Sequence, residues 1–541
     1  MESHCISFRE IPQTTKLFSS FLEDFWRLSS CFAHPPNETG VTAASREVEY
    51  SPSVRSGVVE VLREQNRRFG ADAATERNLD RLAAGSVAIV TGQQVGLFGG
   101  PAYSLYKAVS VACWAGEMAK RGVDAVPIFW LATEDHDLAE VNHAFLATRT
   151  GLERYELPAD GDIAGRRVGE VRLGPAVEPL VDKAAASLEG PSAELIARAL
   201  RESYSPGETY GSAFGKLMAR VCAGRGIILI DPLDARLHRF AAGVYQRALD
   251  NAAPLRDALI ARSKELERGG FHAQVKVTHE STLLFYNVDG HRLPLRSRNG
   301  SFLAGEASFS PDELRGAIAQ APEAFTANVL LRPIVQDTLL PTAAYIGGPA
   351  EIAYMAQAQV VYQQILGRMP AILPRESFTL VEPAVARLLA KYALDIRDLL
   401  RGRQHVRAKM EQRSLPDLLS GRFSADEKTL RNLLSSYREL LETLDRTLLG
   451  ALDSAENKIL YQFLKLKEKV GRAENQRSGI LDRHERVILD SLYPHHELQE
   501  RSLSLLPQLA AFGPELLDNL ARFCGPAAPA ACATQHHVLF L

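Results

Sequence analysis

Two short stretches of the chain hold residue types that could do chemistry. In "TGQQVGLFGGPAYSLYK" (91–107), glycines, two adjacent glutamines and a lysine run from a loop into a helix-like segment. Gly92, Gly96, Gly99 and Gly100 would let a ligand approach the backbone closely. The helix start would add the positive end of its dipole, worth roughly 0.3–1 kcal/mol to an exposed anion. Gln93 and Gln94 can donate to or accept from a carboxylate, a hydroxyl or an amide. Tyr103 and Lys107, four residues apart, share a helix face and lean toward its start, so Lys107 would complete an anion site. The alternative is that Lys107 reaches the surface and the glycines only make a turn. The run matches neither G-x-x-x-x-G-K-[ST] nor G-x-G-x-x-G, so neither nucleotide fingerprint applies.

The second stretch is "TEDHD" (133–137), at the end of an apolar run. Glu134, Asp135, His136 and Asp137 cannot all be buried unpaired, so some face water or ligand. Two carboxylates beside a histidine suit acid–base catalysis, or hold magnesium with a nucleotide's phosphates. His136 is the preferred general base, because an ordinary imidazole titrates near neutral pH. Asn142 and His143 follow closely. A metal set of Asp135, His136 and His143 is one alternative, and helix-capping acids with a hydrogen-bonded histidine another.

A third group is more dispersed. Arg332, Gln336 and Asp337 lie in "LLRPIVQDTLLPT", whose two prolines are hard to place inside a regular helix. Gly347 and Gly348 lie in "YIGGPAE", and Arg375 follows "AILP". An arginine beside an acceptor could clamp a substrate or serve as a structural salt bridge. His536 and His537 read as surface residues.

The elements that must position these residues follow from the pattern. "SVAIVTG" and "VDAVPIFWLA" are short apolar runs that read as buried strands, with a helix from Ala102 to Arg121 between them. Strand, helix, strand at this spacing is a βαβ unit with parallel strands. Ligands of parallel sheets sit beyond the strands' carboxyl ends, which brings the two stretches to one edge. "TAAYIGGPAE" and "MPAILP" repeat the strand, Gly-Gly-Pro turn, helix, strand order, with proline where the first helical turn tolerates it. "GIILID" is a further strand. Residues 272–302 alternate around Asp289-Gly290, a hairpin-turn pair, and read as an inserted antiparallel module. Residues 10–31 read as an amphipathic helix, and 53–83 as more helix.

From about 380 apolar residues recur at spacings of three and four, from Leu430 through Leu440, Leu444 and Ile459 to Val470. This is a coiled-coil pattern broken mainly at Gly450. The seam is either closed within the chain or a homodimer contact. The expected domains are a core over 1–379, with inserts near 150–220 and 270–325, a coiled coil over 380–500, and a segment 501–541 packing back on the core.

The 541 residues carry a net charge of −3, which gives no basic field for nucleic acid or an anionic membrane. The six cysteines are scattered without a C-x-x-C pair, which argues against a disulfide framework and a zinc site. No secretory leader or spanning run is legible, so a cytoplasmic protein is expected.

Together "TGQQVGLFGGPAYSLYKA", "VPIFWLATEDHDLAEVNH", "NVLLRPIVQDTLLPTAAYIGGPAEIAYMAQ", "AILPRES" and the late "LYPHHELQER" resemble the bacillithiol biosynthesis cysteine-adding enzyme family. The resemblance runs through most of the chain. It implies an α/β fold, with a Rossmann-like parallel-sheet core, connecting-peptide insertions and an α-helical coiled coil that mediates a homodimer. It also implies ligation of cysteine to the amine of glucosaminyl-malate. Amide formation from a carboxylate in water is uphill, so ATP with magnesium is the expected energy source. The HIGH and KMSKS signatures of class I synthetases are absent, so no adenylation site carries over by motif. Two other readings stand beside it: a metal-assisted hydrolase or nucleotidyltransferase using Glu134–Asp137, and a non-catalytic dimeric binding protein.

Overall fold

The structure, a computed structural model, describes residues 2–149, 151–158, 165–288, 290–413, 417–529, 532 and 534–541, with backbone only at 417, 418, 420, 472 and 474–478. Asp289 of the expected hairpin turn lies outside the described residues. The chain divides into two compact units. One comprises Ser3–Thr379 with Gln499–Val538, and the other is built mainly from Leu380–Leu498.

The first unit is organised by a five-stranded parallel sheet. Its strands are β1 (Val87–Gln93), β2 (Ala125–Leu131), β3 (Ile228–Ile230), β4 (Thr342–Gly347) and β5 (Ala371–Pro374), in the order β5-β4-β1-β2-β3. Helices cover both faces, so β2 and β4 are buried at every position and read as unbroken apolar runs. Pro127 is accommodated within β2 because pairing with the short β3 starts one residue later, at Ile128↔Ile228. Helix α1 (Tyr103–Lys120) links β1 to β2, and α2 (Pro349–Ile365) links β4 to β5, so the Gly-Gly-Pro repeat corresponds to two parallel crossover units. One face of the sheet packs Ile89, Ala344, Ile346 and Leu373 against Val111, Trp114 and Met118 of α1.

The strand order reverses between β1 and β4, with β2 and β3 added on one side of that line and β5 on the other. That is the topological switch point, where a crevice opens at the strands' carboxyl ends. A separate five-stranded antiparallel sheet, Ser281–Val288, His291–Arg298, Ser301–Ala304, Ala307–Phe309 and Phe325–Ala327, is inserted before β4.

Several expectations change. Residues 10–31 form a short helix, Lys16–Glu23, followed by a 3-10 segment, Phe25–Cys31. Helix Pro52–Phe69 stops at Gly70, which adopts φ 86°. Cys5 and Cys532 are joined by a disulfide, with Cα atoms 5.6 Å apart, a pairing that their separation in sequence concealed. His536 and His537 are fully buried rather than on the surface. Among the described residues no helix is long and apolar enough to cross a membrane.

In the second unit the coiled coil is a hairpin within one chain. Helix Asp417–Ser436 and the turn of helix Arg438–Leu444 fold back on helix Leu448–Ser478. The antiparallel register is fixed by Phe423 against Phe463, ring centroids 5.3 Å apart, Arg431 near Glu456, and Arg438 with Asp453. The break falls at Asp445, whose carboxylate accepts from Thr447 N–H, and not at Gly450, which lies inside the long helix. Intrachain closure still leaves Leu433, Tyr437, Leu440, Leu444 and Tyr461 exposed.

Candidate active site

A pocket of about 1160 Å³ opens at the switch point, walled by the carboxyl ends of β1, β2 and β4, the starts of α1 and α2, and the inserted sheet. Gln93, Gln94, Tyr103, Lys107, Glu134, Asp135, Arg332, Gly348 and Arg375 line it. The sequence stretches expected to converge do so.

The glycine-rich turn is not a phosphate cradle. Four of its N–H groups are spent inside the fold: Gly96 on Gln94 O, Leu97 on Val141 O, Gly99 on the Tyr204 hydroxyl and Gly100 on Leu97 O. Its glycines serve the turn itself, since Gly99 and Gly100 adopt φ 84° and 67°. A Cβ on Gly96 would lie 2.8 Å from Gly100 Cα. Neither Gly96 nor Gly99 lines the pocket.

Lys107 is also committed. Its Nζ donates to Gly92 O (2.8 Å) and Gln93 Oε1 (2.9 Å) and pairs with Glu351 Oε2. Glu351 further accepts from the Tyr345 hydroxyl (2.6 Å) and Gly348 N–H (2.7 Å). Burial holds Lys107 below its ordinary pKa, offset in part by Glu351. Against burial, Lys107 and the hydrogen-bond donors hold Glu351 below the ordinary carboxylate range. Lys107 therefore staples α1 to α2 and is not an open anion site.

The acidic run fans out instead of converging. Glu134 points inward, 8 % exposed, with Oε1 lacking any hydrogen-bond partner and 3.6 Å from the equally unpartnered Nε2 of buried His238. Burial pushes the Glu134 pKa up to about 7, against the pull of Arg292. Burial also pushes His238 down to about 4, so it stays neutral, its Nδ1 3.1 Å from the Tyr245 hydroxyl.

Asp135 accepts from His136 N–H (2.7 Å) and Gln94 Nε2 (2.6 Å). Burial would raise its pKa, but these donors outweigh it and hold Asp135 well below the carboxylate range. His136, 42 % exposed, accepts at Nδ1 from Arg292 (3.0 Å) and does not line the pocket. Asp137 precedes the 3-10 turn Leu138–Glu140 without a side-chain capping bond. Asn142 and His143 bond to one another (3.3 Å) outside the pocket. Asp135, His136 and His143 therefore do not gather as metal ligands. Replacing His136 by glutamine is expected to lower kcat/KM by less than about tenfold, measured by steady-state kinetics; a loss typical of a general base, ~10²-fold or more, would return His136 to the reacting centre.

Arg332 opens a helix, Arg332–Leu339, that holds Pro333 at its first turn, so the proline pattern is compatible with helix there. Its guanidinium is held by Gln336 Oε1 (2.9 Å) and the Tyr354 hydroxyl (3.3 Å), over the rings of Trp130 and Tyr345. No carboxylate lies within salt-bridge distance of it among the described residues. Gln336 positions Arg332 from the core. Asp337 is buried beside the Tyr362 hydroxyl, and burial raises its pKa. Arg375 is neutralised by buried Glu500, Nη2 to Oε1 2.7 Å. Gly347 shapes the turn by accepting Arg375 N–H.

Sequence reasoning missed a second set of walls. Glu140, which shares Gln94 with Asp135, Glu351, Tyr345, Tyr354 and Arg501 all line the pocket. So does Arg292, from the inserted sheet, which stacks on Phe285 3.8 Å away and donates to Thr326 Oγ1 and Ala327 O. Glu351 stood inside a quoted motif, and only its meeting with Lys107 reveals its role.

Residues 1–376 match the family described as bacillithiol biosynthesis BshC, N-terminal Rossmann-like domain, and residues 378–541 match its C-terminal coiled-coil domain. The chain belongs to the bacillithiol biosynthesis BshC family. Three of the relatives that carry the name "Putative cysteine ligase BshC" show the extent of the likeness. The one from Koribacter versatilis is 41% identical over 522 residues, 96% of this chain and 97% of the relative. That from Solibacter usitatus is 35% identical over 519 residues, 95% and 96% of the two chains. That from Salinibacter ruber is 31% identical over 516 residues, 93% of each. Membership places this chain among ligases, with the Rossmann-like core and helical coiled coil of the BshC family.

Proposed function

We propose that the switch-point pocket joins the carboxylate of cysteine to the amine of glucosaminyl-malate, with ATP activating the carboxylate. The observation that carries this reading is the meeting of two groups on one pocket: the buried carboxyl of Glu134, whose Oε1 has no hydrogen-bond partner, and the guanidinium of Arg332, with no carboxylate within salt-bridge distance among the described residues. Arg332 suits a substrate carboxylate, with Arg292 and Arg501 near for further negative charge. Glu134, pushed up to about 7, suits taking the proton that the attacking free amine loses as the amide forms.

ATP and cysteine give an acyl-adenylate with release of pyrophosphate, or an acyl-phosphate with release of ADP. The acceptor nitrogen then forms the amide, AMP or phosphate leaves, and Glu134 takes the amine proton. The volume of about 1160 Å³ exceeds the usual ligand pocket, which accommodates two substrates together. Asp135 and Glu140 are the carboxylates that would hold the nucleotide's magnesium ion.

The test supplies purified protein with glucosaminyl-malate, cysteine and ATP and looks for the thiol product by mass, with AMP against ADP separating the two activations. Absence of product with every nucleotide counts against the reading. Replacing Arg332 by methionine is expected to raise KM for a carboxylate-bearing substrate by roughly 10–100-fold, from the loss of about 1.5–3 kcal/mol of charged hydrogen bonding. An unchanged KM for every substrate would remove Arg332 from the site.

We further propose that the exposed apolar residues of the coiled-coil hairpin meet a second copy of the chain. Leu440 and Leu444 are 68% and 78% exposed, unusual for leucines on one short helix. The variant L440E/L444E is expected to sediment as a monomer where the wild type sediments as a dimer. A wild-type monomer at micromolar concentration would end this proposal.

A further inference from the structure

The Cys5–Cys532 bridge has a histidine aimed at it that a purely structural disulfide does not need. His537 Nδ1 lies 3.9 Å from Cys5 Sγ. Its other nitrogen, Nε2, faces Glu376 Oε2 at 3.6 Å, and Glu376 Oε1 is anchored by Gly525 N–H (2.6 Å). Phe378 and Phe523 pack against the ring and fix its plane. With a carboxylate at Nε2, the favourable tautomer carries its proton there, and the Nδ1 lone pair points at sulfur. A disulfide sulfur has no hydrogen to offer that lone pair. A thiol does, and a thiolate-bound metal satisfies it better.

We propose that Cys5, Cys532 and His537 form a soft-metal site that binds zinc(II) when the two cysteines are reduced. Their ligand atoms all lie within 4.8 Å of one another, the one such His/Cys/Asp/Glu group among the described residues. Tetrahedral zinc, with Zn–S about 2.3 Å and Zn–N about 2.0–2.1 Å, sets sulfur and nitrogen roughly 3.5 Å apart, close to the 3.9 Å seen, and requires the two sulfurs, once reduced, to part to about 3.8 Å. Glu376 fills the role of the carboxylate that orients a metal-bound imidazole. Neighbouring His536 is not a ligand, because Ser377 Oγ (2.7 Å) and Thr379 Oγ1 (2.9 Å) occupy its two nitrogens. The fourth position is left to water.

Disulfide and metal centre are then alternative states of one site. Two equivalents of a low-molecular-weight thiol, RSH, reduce the bridge to two cysteine thiols and leave as RSSR. Zinc then displaces the two thiol protons and binds both thiolates. The metal state ties the two ends of the chain together as the disulfide does.

The test uses the full chain, reduced with dithiothreitol and desalted without oxygen, then loaded separately with zinc(II) and cobalt(II). One equivalent of zinc is expected to survive desalting, and cobalt to show a thiolate charge-transfer band. Both should be lost in C5S and H537Q and retained in C31S and C222S, whose thiols lie elsewhere. E376Q should weaken zinc binding by about 10–100-fold, the usual effect of losing the carboxylate that orients a metal-bound imidazole. The proposal is overturned if the reduced wild type holds no more zinc than C5S, or if its cobalt complex lacks the thiolate band. The wild-type spectrum decides even where a variant fails to fold.

Discussion

The variant E134Q is expected to lose roughly 10²–10⁴-fold in kcat, the range for removing a general base, with substrate KM values little changed. For the wild type, kcat/KM should climb as pH rises through about 7, because only ionised Glu134 accepts a proton. In E134Q that limb should vanish. A retained limb would assign it to another group. The same carboxyl leaves a mark on stability, and its sign is opposite to that of a paired acid. Its folded pKa, about 7, lies above the unfolded value of 4.5, so the native state binds the proton more tightly. Stability from this group is full below the unfolded value and falls as pH rises from 4.5 to about 7. The loss is on the order of 3 kcal/mol, at 1.36 kcal/mol for each pKa unit. Urea unfolding at pH 5 and pH 8 should show that decline in the wild type and little of it in E134Q.

E500A is expected to be the most damaging single truncation near the pocket. Glu500 is buried, holds Arg375, and also accepts from Ser377 Oγ (2.8 Å) and Phe378 N–H (2.9 Å). Burial raises the Glu500 pKa, but Arg375 more than reverses it and keeps the carboxyl below its ordinary value. Removing one partner of a buried pair leaves a charge without compensation, which costs about 3–5 kcal/mol. Denaturant unfolding should register that drop, and the double variant E500A/R375M should recover part of it through the coupling of neighbouring sites. A loss below about 1 kcal/mol in E500A would mean that water reaches Arg375 and shields it.

The parallel sheet was legible because strands covered on both faces appear as short unbroken apolar runs, as in "AVPIFWL". The switch-point edge followed from topology, and it gathered Gln93, Gln94, Glu134 and Asp135 as expected. The run Glu134–Asp137 was not legible in detail, since adjacent residues after a strand diverge and burial alone selects Glu134. The glycine turn misled because backbone donors are invisible in a sequence: whether Gly99 N–H meets a ligand or Tyr204 depends on a residue far along the chain. Arg292 belongs to an alternating strand whose pattern tells exposure but not which cleft a side chain enters. The heptad pattern was real, yet a hairpin and a dimer seam share the same period. The disulfide needed spatial knowledge of both chain ends.

The Lys107–Glu351 contact has a mechanical side. It fastens the helix of one crossover unit to that of the other across the reversal point of the sheet, adding a buried tie at the pocket floor to the strand pairing that already joins β1 to β4. The opposite wall, carrying Arg292 and Phe285, belongs to an insertion joined to the sheet through its own connections. The floor is thus fixed twice over, by strand pairing and by a buried ion pair, while Arg292 and Phe285 reach the same pocket from a different sheet.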